Sequence, residues 1–229
     1  MNGTIPETIA FDIYGTLIDT HGLIDLLRCH VGDNASRFST LWRQKQLEYS
    51  FRRGLMRQYK DFGICTAQAF KYACISFGVS LSQKETDILL RAYRALPIFD
   101  DVVEGLKNAQ DAGFRLYAFS NGKETDILQL LDNANIGCFF IDIISVDEVQ
   151  SFKPDPLVYR HFLKRAKADN AWMVSANPFD IIGAVSAGMK SAWMQRYPDI
   201  IMDPWEIVPT VVIHRLNELV TAITSERNT

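Results

Sequence analysis

The sequence predicts an α/β protein with a Rossmann-like parallel sheet core, helices on both faces and an inserted helical cap subdomain. Two patterns predict it. From about Pro97 onward, short apolar runs of strand length alternate with segments of helical period, whereas from about Ile18 to Tyr93 the period is helical with few strand signals. Strands separated by helices pair in parallel, and such a sheet is covered on both faces.

The elements follow in order. The run Ile9 to Ile13 ends at Gly15 and reads as a buried strand followed by a tight turn. In the helical stretch, Phe38, Leu41, Trp42 and Tyr49 share one face while Arg43, Leu47 and Phe51 share another, so this helix is expected to be buried on two sides. A polar helix over Asp101 to Ala112, Gly113, the strand FRLYAFS, a helix, the strand IDIIS and a helix after Pro156 come next. The strand AWMVSA, a helix from Asp180 to Ala187, the short strand SAWMQ and finally TVVIH complete the series. The expected division is a core of residues 1–17 and 96–229 and a cap of residues 18–95.

Composition bounds the partners. The chain has 229 residues, 24 Lys and Arg against 27 Asp and Glu, and a formal charge of -3, without a basic tail or polybasic run. Nucleic acid and membrane surfaces are therefore not expected partners, and an anionic substrate must be held by a few local cations. Cys29, Cys65, Cys74 and Cys138 are scattered, with no CxxC and no His at ligand spacing, and are expected to be reduced, mostly buried thiols. The stretch MNGTIPETIAFDIYG lacks a basic segment leading into an apolar run, so a cytoplasmic protein is expected.

In parallel sheets ligands sit beyond the carboxyl ends of the strands. That rule selects Asp12 to Thr16, Ser120 with Asn121, the stretch before Lys153, and Ser175 to Asp180. In FDIYGTLID a carboxylate ends a buried strand with a Gly-Thr turn behind it, which aims Asp12 at the cleft with backbone N–H groups and the Thr16 hydroxyl able to hold it. A strand-end Asp is equally often a plain turn residue, an isolated Lys153 a solvated charge, and Asp180 the N-cap of its helix. In SFKPDP, Lys153 precedes a Pro that would fix the start of the next helix.

The ordered set FDxYGTL, SNG, KPDPxxY and SxNxxD, with WRQKQLEYS in the inserted segment, resembles the haloacid dehalogenase superfamily, and within it the L-2-haloacid dehalogenase branch. The resemblance runs from about Ile9 to Met189. The phosphatases of the superfamily carry a second Asp two positions after the nucleophile and two carboxylates in the fourth motif that complete a magnesium site. This chain has Tyr14 at the first position and Ser175, Ala176 and Asn177 in the fourth motif, leaving Asp180 alone. Magnesium wants an anionic oxygen cage, so no metal and no cofactor are expected.

What the resemblance implies is displacement of halide from a small 2-halocarboxylic acid, with water as the second reactant. Asp12 is the nucleophile and Lys153 keeps it ionised and oriented against a like-charge repulsion of order 4 kcal/mol at 4 Å and an effective dielectric near 20. Arg43, Asn121 and the ring edge of Phe179 form the halide cradle, and Ser120 with the N–H groups after Tyr14 clamps the carboxylate. Ile13, Tyr14 and Leu47 complete the substrate contacts. An ester on Asp12 then forms with inversion, and Asp180 activates the water that cleaves it, with Ser175, Asn177 and Lys153 holding Asp180 and the carbonyl oxygen. Thr16 and Tyr159 support the network.

Two departures stand out. The fourth motif of that branch often reads Ser-Ser-Asn, a small residue and then Trp or Phe, whereas Ala176 and Pro178 appear here. A magnesium-dependent phosphatase of the same superfamily and a catalytically silent relative are the competing readings. A homodimer is a family expectation, in which the apolar segments Leu23 to Leu27 and Phe70 to Phe77 serve as interface or, more simply, as bundle core.

Overall fold

The computed structural model describes residues 6–227. Residues 1–5 of the stretch read above for a leader lie outside the described residues, as do 228 and 229. Six strands, β1 (Thr8–Phe11), β2 (Arg115–Ser120), β3 (Asp142–Ser145), β4 (Trp172–Ser175), β5 (Lys190–Met194) and β6 (Val211–Ile213), form one sheet in the order β3-β2-β1-β4-β5-β6. Every pairing is parallel. The order reverses between β1 and β4, and the crevice beyond the carboxyl ends at such a reversal is where doubly wound sheets bind ligands.

Four helices lie between β1 and the rest of the sheet: α1 (Ile24–Val31), α2 (Ala35–Met56), α3 (Phe62–Phe77) and α4 (Gln83–Ala92). The chain leaves and returns side by side, with Asp19 N–H donating to Pro97 O at 2.8 Å and Phe99 N–H to Leu17 O at 3.1 Å. The stripe of Phe38 and Trp42 is buried against Phe70 and Tyr93. Leu23, Leu27, Phe70 and Ala73 are core, while Tyr72 and Ile75 on the same α3 remain exposed.

The helices α5 (Val102–Asp111), α6 (Glu124–Asn133), α7 (Pro156–Ala166), α8 (Pro178–Ser186) and α9 (Leu219–Arg227) complete the fold. Helix α8 begins at Pro178, with Asn177 as its N-cap, so Asp180 stands inside the first turn and does not cap the helix. Helix α7 is started by Pro156 at its first positions and by the Asp155 side chain accepting from Leu157 N–H, so the structuring proline is Pro156. The expectation of mostly buried thiols fails: Cys65 is buried, Cys74 is half-buried, and Cys29 and Cys138 are exposed. Cys29 lies in the short α1 and Cys138 in a single 3-10 turn at 137–139. Among the described residues no helix is long and apolar enough to cross a membrane.

Candidate active site

Asp12 follows β1 directly, and its N–H donates to Val174 O at 2.9 Å, which ties the loop to β4 at the sheet reversal. Gly15 takes φ +84, in the left-handed region that favours glycine, and this lets the chain turn sharply behind the carboxylate. The side chain of Asp12 is held asymmetrically. Its Oδ2 accepts from Thr16 Oγ1 at 2.8 Å, Asn177 Nδ2 at 2.8 Å and Ser175 Oγ at 3.4 Å. Among the described residues, its Oδ1 accepts only from Lys153 Nζ, at 3.2 Å.

Lys153 is 1% exposed, yet its ammonium is fully committed. It donates to Asp12 Oδ1, to Asp180 Oδ2 at 2.8 Å and to Phe119 O at 2.9 Å, and lies 4.2 Å from the Phe119 ring centroid. A buried ammonium of this kind is tolerated because two carboxylates and a carbonyl replace its water shell, and either carboxylate alone still balances its charge. Asp180 is fully buried and also accepts from Tyr159 Oη at 2.8 Å. That approach is possible because Gly183 lacks a side chain, since a Cβ there would meet Tyr159 Oη at 2.5 Å.

Burial pushes the Asp180 carboxyl up to about 6, with Lys153 pulling it back, Asp12 pushing it further up, and Tyr159 pulling it down by hydrogen bonding. Burial, then the charge of Asp180, holds the Tyr159 phenol well above its ordinary range, so it stays a donor. For stability the raised value has a definite sign: the folded Asp180 holds its proton more tightly than the unfolded chain does. Its contribution is complete below the unfolded carboxylate value of about 3.9. That contribution is lost as pH rises through about 6.

The sequence-selected residues largely meet in one place, with two corrections. Ser175 and Asn177 bond Asp12, and no bond joins either of them to the Asp180 side chain among the described residues. The N–H groups after Tyr14 are not free, because Gly15 donates to Ile18 O at 2.8 Å and Thr16 to Ile13 O at 3.3 Å within the turn. The tight turn consumes them. Among the described residues no hydrogen bond engages the N–H groups of Tyr14 and Ile13, one and two places before Gly15. Ser120, buried at the end of β2, accepts from Gly122 N–H at 3.1 Å. Asn121 accepts from Lys153 N–H through Oδ1 at 2.9 Å, which leaves its amide hydrogens for another partner.

From α2, Arg43 reaches across to the β1 loop and donates from Nη2 to Tyr14 O at 3.4 Å. Tyr14 is buried, stacked on Tyr93 with centroids 5.5 Å apart, and Phe62 flanks it at 6.0 Å. Leu47 is half-buried one helical turn beyond Arg43. Phe179 meets Phe51 edge to face at 5.0 Å. On the Lys153 and Phe179 side a groove of about 1460 Å³ runs out between the end of α2 and the 149–157 segment.

One pair behind the site carried no sequence signal. Arg196 donates twice to Asp101, at 2.7 Å each, and from Nη2 to Thr16 O at 2.7 Å, with both side chains buried. It fixes the backbone of the residue whose hydroxyl holds Asp12, from two segments outside the recognisable motifs.

Comparison with known proteins decides the family. The profile of haloacid dehalogenase-like hydrolases matches residues 6–188. The chain belongs to the haloacid dehalogenase-like hydrolases. Within that family it is 34% identical over 215 residues to an (S)-2-haloacid dehalogenase of Pseudomonas putida, covering 93% of this chain and 94% of the relative. It is 35% identical to haloacetate dehalogenase H-2 of Moraxella sp. (strain B), covering 83% and 86%. The solved L-2-haloacid dehalogenase of Xanthobacter autotrophicus superposes with a TM-score of 0.88 at 26% identity, covering 96% of this chain and 99% of that one. The same dehalogenase with chloropropionic acid covalently bound superposes with a TM-score of 0.87 at 26% identity, with the same coverage.

Proposed function

We propose that this hydrolase converts short L-2-haloalkanoic acids, such as haloacetate and 2-chloropropionate, to 2-hydroxy acids with inversion, through an ester on Asp12 and without a metal. The observation that carries the reading is the distribution of donors on Asp12 together with the shared Lys153. Among the described residues three donors crowd Oδ2, whereas the ammonium alone faces Oδ1, so Oδ1 is the oxygen free to attack. The residues around Asp12 also suit a metal-free reaction. The position two after the nucleophile is the buried Tyr14, and the second carboxylate, Asp180, is already neutralised by Lys153.

In the first step Asp12 Oδ1 bonds to C2 as the carbon–halogen bond breaks, and the halide leaves with the electron pair. Arg43, the free amide of Asn121 and the edge of Phe179 receive the developing charge. Ser120 and the N–H groups of Ile13 and Tyr14 hold the substrate carboxylate, with Tyr14 and Leu47 against its carbon chain. In the second step water attacks the ester carbonyl and gives its proton to Asp180, which Lys153 and Tyr159 orient. Thr16, Ser175 and Asn177, already on Oδ2, are placed for the oxyanion that forms there. The tetrahedral intermediate collapses, the Cγ–Oδ1 bond breaks, the hydroxy acid departs with a proton from Asp180, and Asp12, now carrying the water's oxygen, releases its remaining proton to solvent and is again a carboxylate. Residues 18–95 act as the cap that closes this site, and a cytoplasmic homodimer accompanies the reading.

The route of the water tests the proposal. With enzyme in excess in ¹⁸O-labelled water, the first turnover should place the label in Asp12 and none in the hydroxy acid. Label in the first-turnover product would mean direct attack of water on C2 and would remove the ester. Asp180 also sets the acid limb. Because a base must be ionised, ester decay should fall as pH drops through about 6. A rate that stays constant down to about 4, the ordinary carboxylate range, would contradict that assignment.

A further inference from the structure

Gln46 and Ser50 are the polar residues on the buried stripe of α2, and Gln46 is the one bonded to Arg43. It lies one turn after Trp42 and three residues after Arg43, is fully buried, and has both its amide oxygen and its amide nitrogen hydrogen-bonded. Its Oε1 accepts from Arg43 Nη1 at 2.8 Å and from Tyr93 Oη at 3.0 Å. Its Nε2 donates to Thr66 Oγ1 at 2.6 Å, and the Thr66 hydroxyl donates onward to Phe62 O at 2.7 Å.

This arrangement permits one orientation of the amide. A guanidinium has only donors, so the oxygen of Gln46 must face Arg43. Thr66 has spent its hydrogen on Phe62 O and must accept from the nitrogen of Gln46. The network is anchored in α3, where Trp42 Nε1 also donates to Thr66 O at 2.9 Å. Without it, Arg43 would keep, among the described residues, one other bond, the longer one to Tyr14 O at 3.4 Å. A long arginine side chain with one weak tether samples many rotamers, and a donor misplaced by about 1 Å loses much of its effect on a transition state.

We infer that Gln46 is a positioning residue for halide departure: it locks the Arg43 guanidinium in the orientation that receives the leaving ion. The inference rests on the reading of Arg43 as a halide donor. It makes a demand that a purely structural role would not make, because chloride, smaller and a poorer leaving group than bromide, depends more on a well-aimed donor.

The experiment is rapid-quench measurement of halide release, and then of ester decay, with L-2-chloropropionate and L-2-bromopropionate on wild type, Gln46→Leu, Thr66→Val and Arg43→Ala. In Gln46→Leu, chloride release should slow about tenfold or more. Bromide release should slow by a clearly smaller factor, and ester decay should stay within about twofold of wild type. Thr66→Val, which frees the amide while keeping its oxygen, should shift the chloride-to-bromide ratio in the same direction by less. It serves as the deciding variant if Gln46→Leu does not fold. Equal slowing for both halides, slowed ester decay, or an unchanged ratio would overturn the inference. If Arg43→Ala lacks the halide dependence, the inference fails together with its premise. If Arg43→Ala shows the dependence and neither Gln46→Leu nor Thr66→Val does, the inference alone fails.

Discussion

Asp12→Asn is expected to abolish steady-state halide release from L-2-chloropropionate, by about four orders of magnitude or more, with the fold preserved. The amide is nearly the same size as the carboxylate, and its oxygen can keep the Thr16, Ser175 and Asn177 donors on the Oδ2 side, while its nitrogen faces Lys153, which loses that acceptor. What disappears is the anionic oxygen that attacks. The ion pair of Lys153 with Asp180 remains, so the buried ammonium is still neutralised and the stability loss should be modest. Circular dichroism and halide assay on the same preparation separate the two effects. A folded Asp12→Asn variant with near-normal turnover would remove Asp12 as the nucleophile.

Asp180→Asn is expected to block the second step while sparing the first. An asparagine retains the hydrogen bond from Tyr159 but cannot take a proton from water, so deacylation should fall by roughly two to four orders of magnitude. Halide should then appear in a single stoichiometric burst, and intact-protein mass spectrometry should find Asp12 carrying the carbon skeleton of the acid. Lys153 still pairs with Asp12 in this variant, so the nucleophile stays oriented. A burst without an adduct, or continued turnover, would exclude Asp180 as the base.

Much of the fold and site was legible because the physics is local. Alternating strand and helix periods dictate a parallel sheet, and the carboxyl-end rule selected Asp12, Ser120, the stretch before Lys153 and Asp180 from segments far apart in the chain, with Lys153 itself marked by the SFKPDP motif. What stayed hidden depends on contacts between segments. Asp101 and Arg196 carry no pattern that announces their pairing, and they meet only because α5 and the end of β5 flank the nucleophile loop. Gln46 offered a signal that went unread: a polar residue on the stripe of Phe38 and Trp42 must find buried partners, and its partners are Arg43, Thr66 and Tyr93. Which N–H groups of the Asp12 loop are free depended on the turn geometry at Gly15, and the helix start at Pro178 moved Asp180 off the capping position.

The central claim is metal-free displacement of halide by a carboxylate. It is tested most directly by halide release from L-2-chloropropionate by the purified protein in excess EDTA, with the D enantiomer alongside. The account predicts release from the L form alone, unchanged by the chelator. Silence from both enantiomers, with p-nitrophenyl phosphate hydrolysis appearing when Mg²⁺ is added, would contradict it.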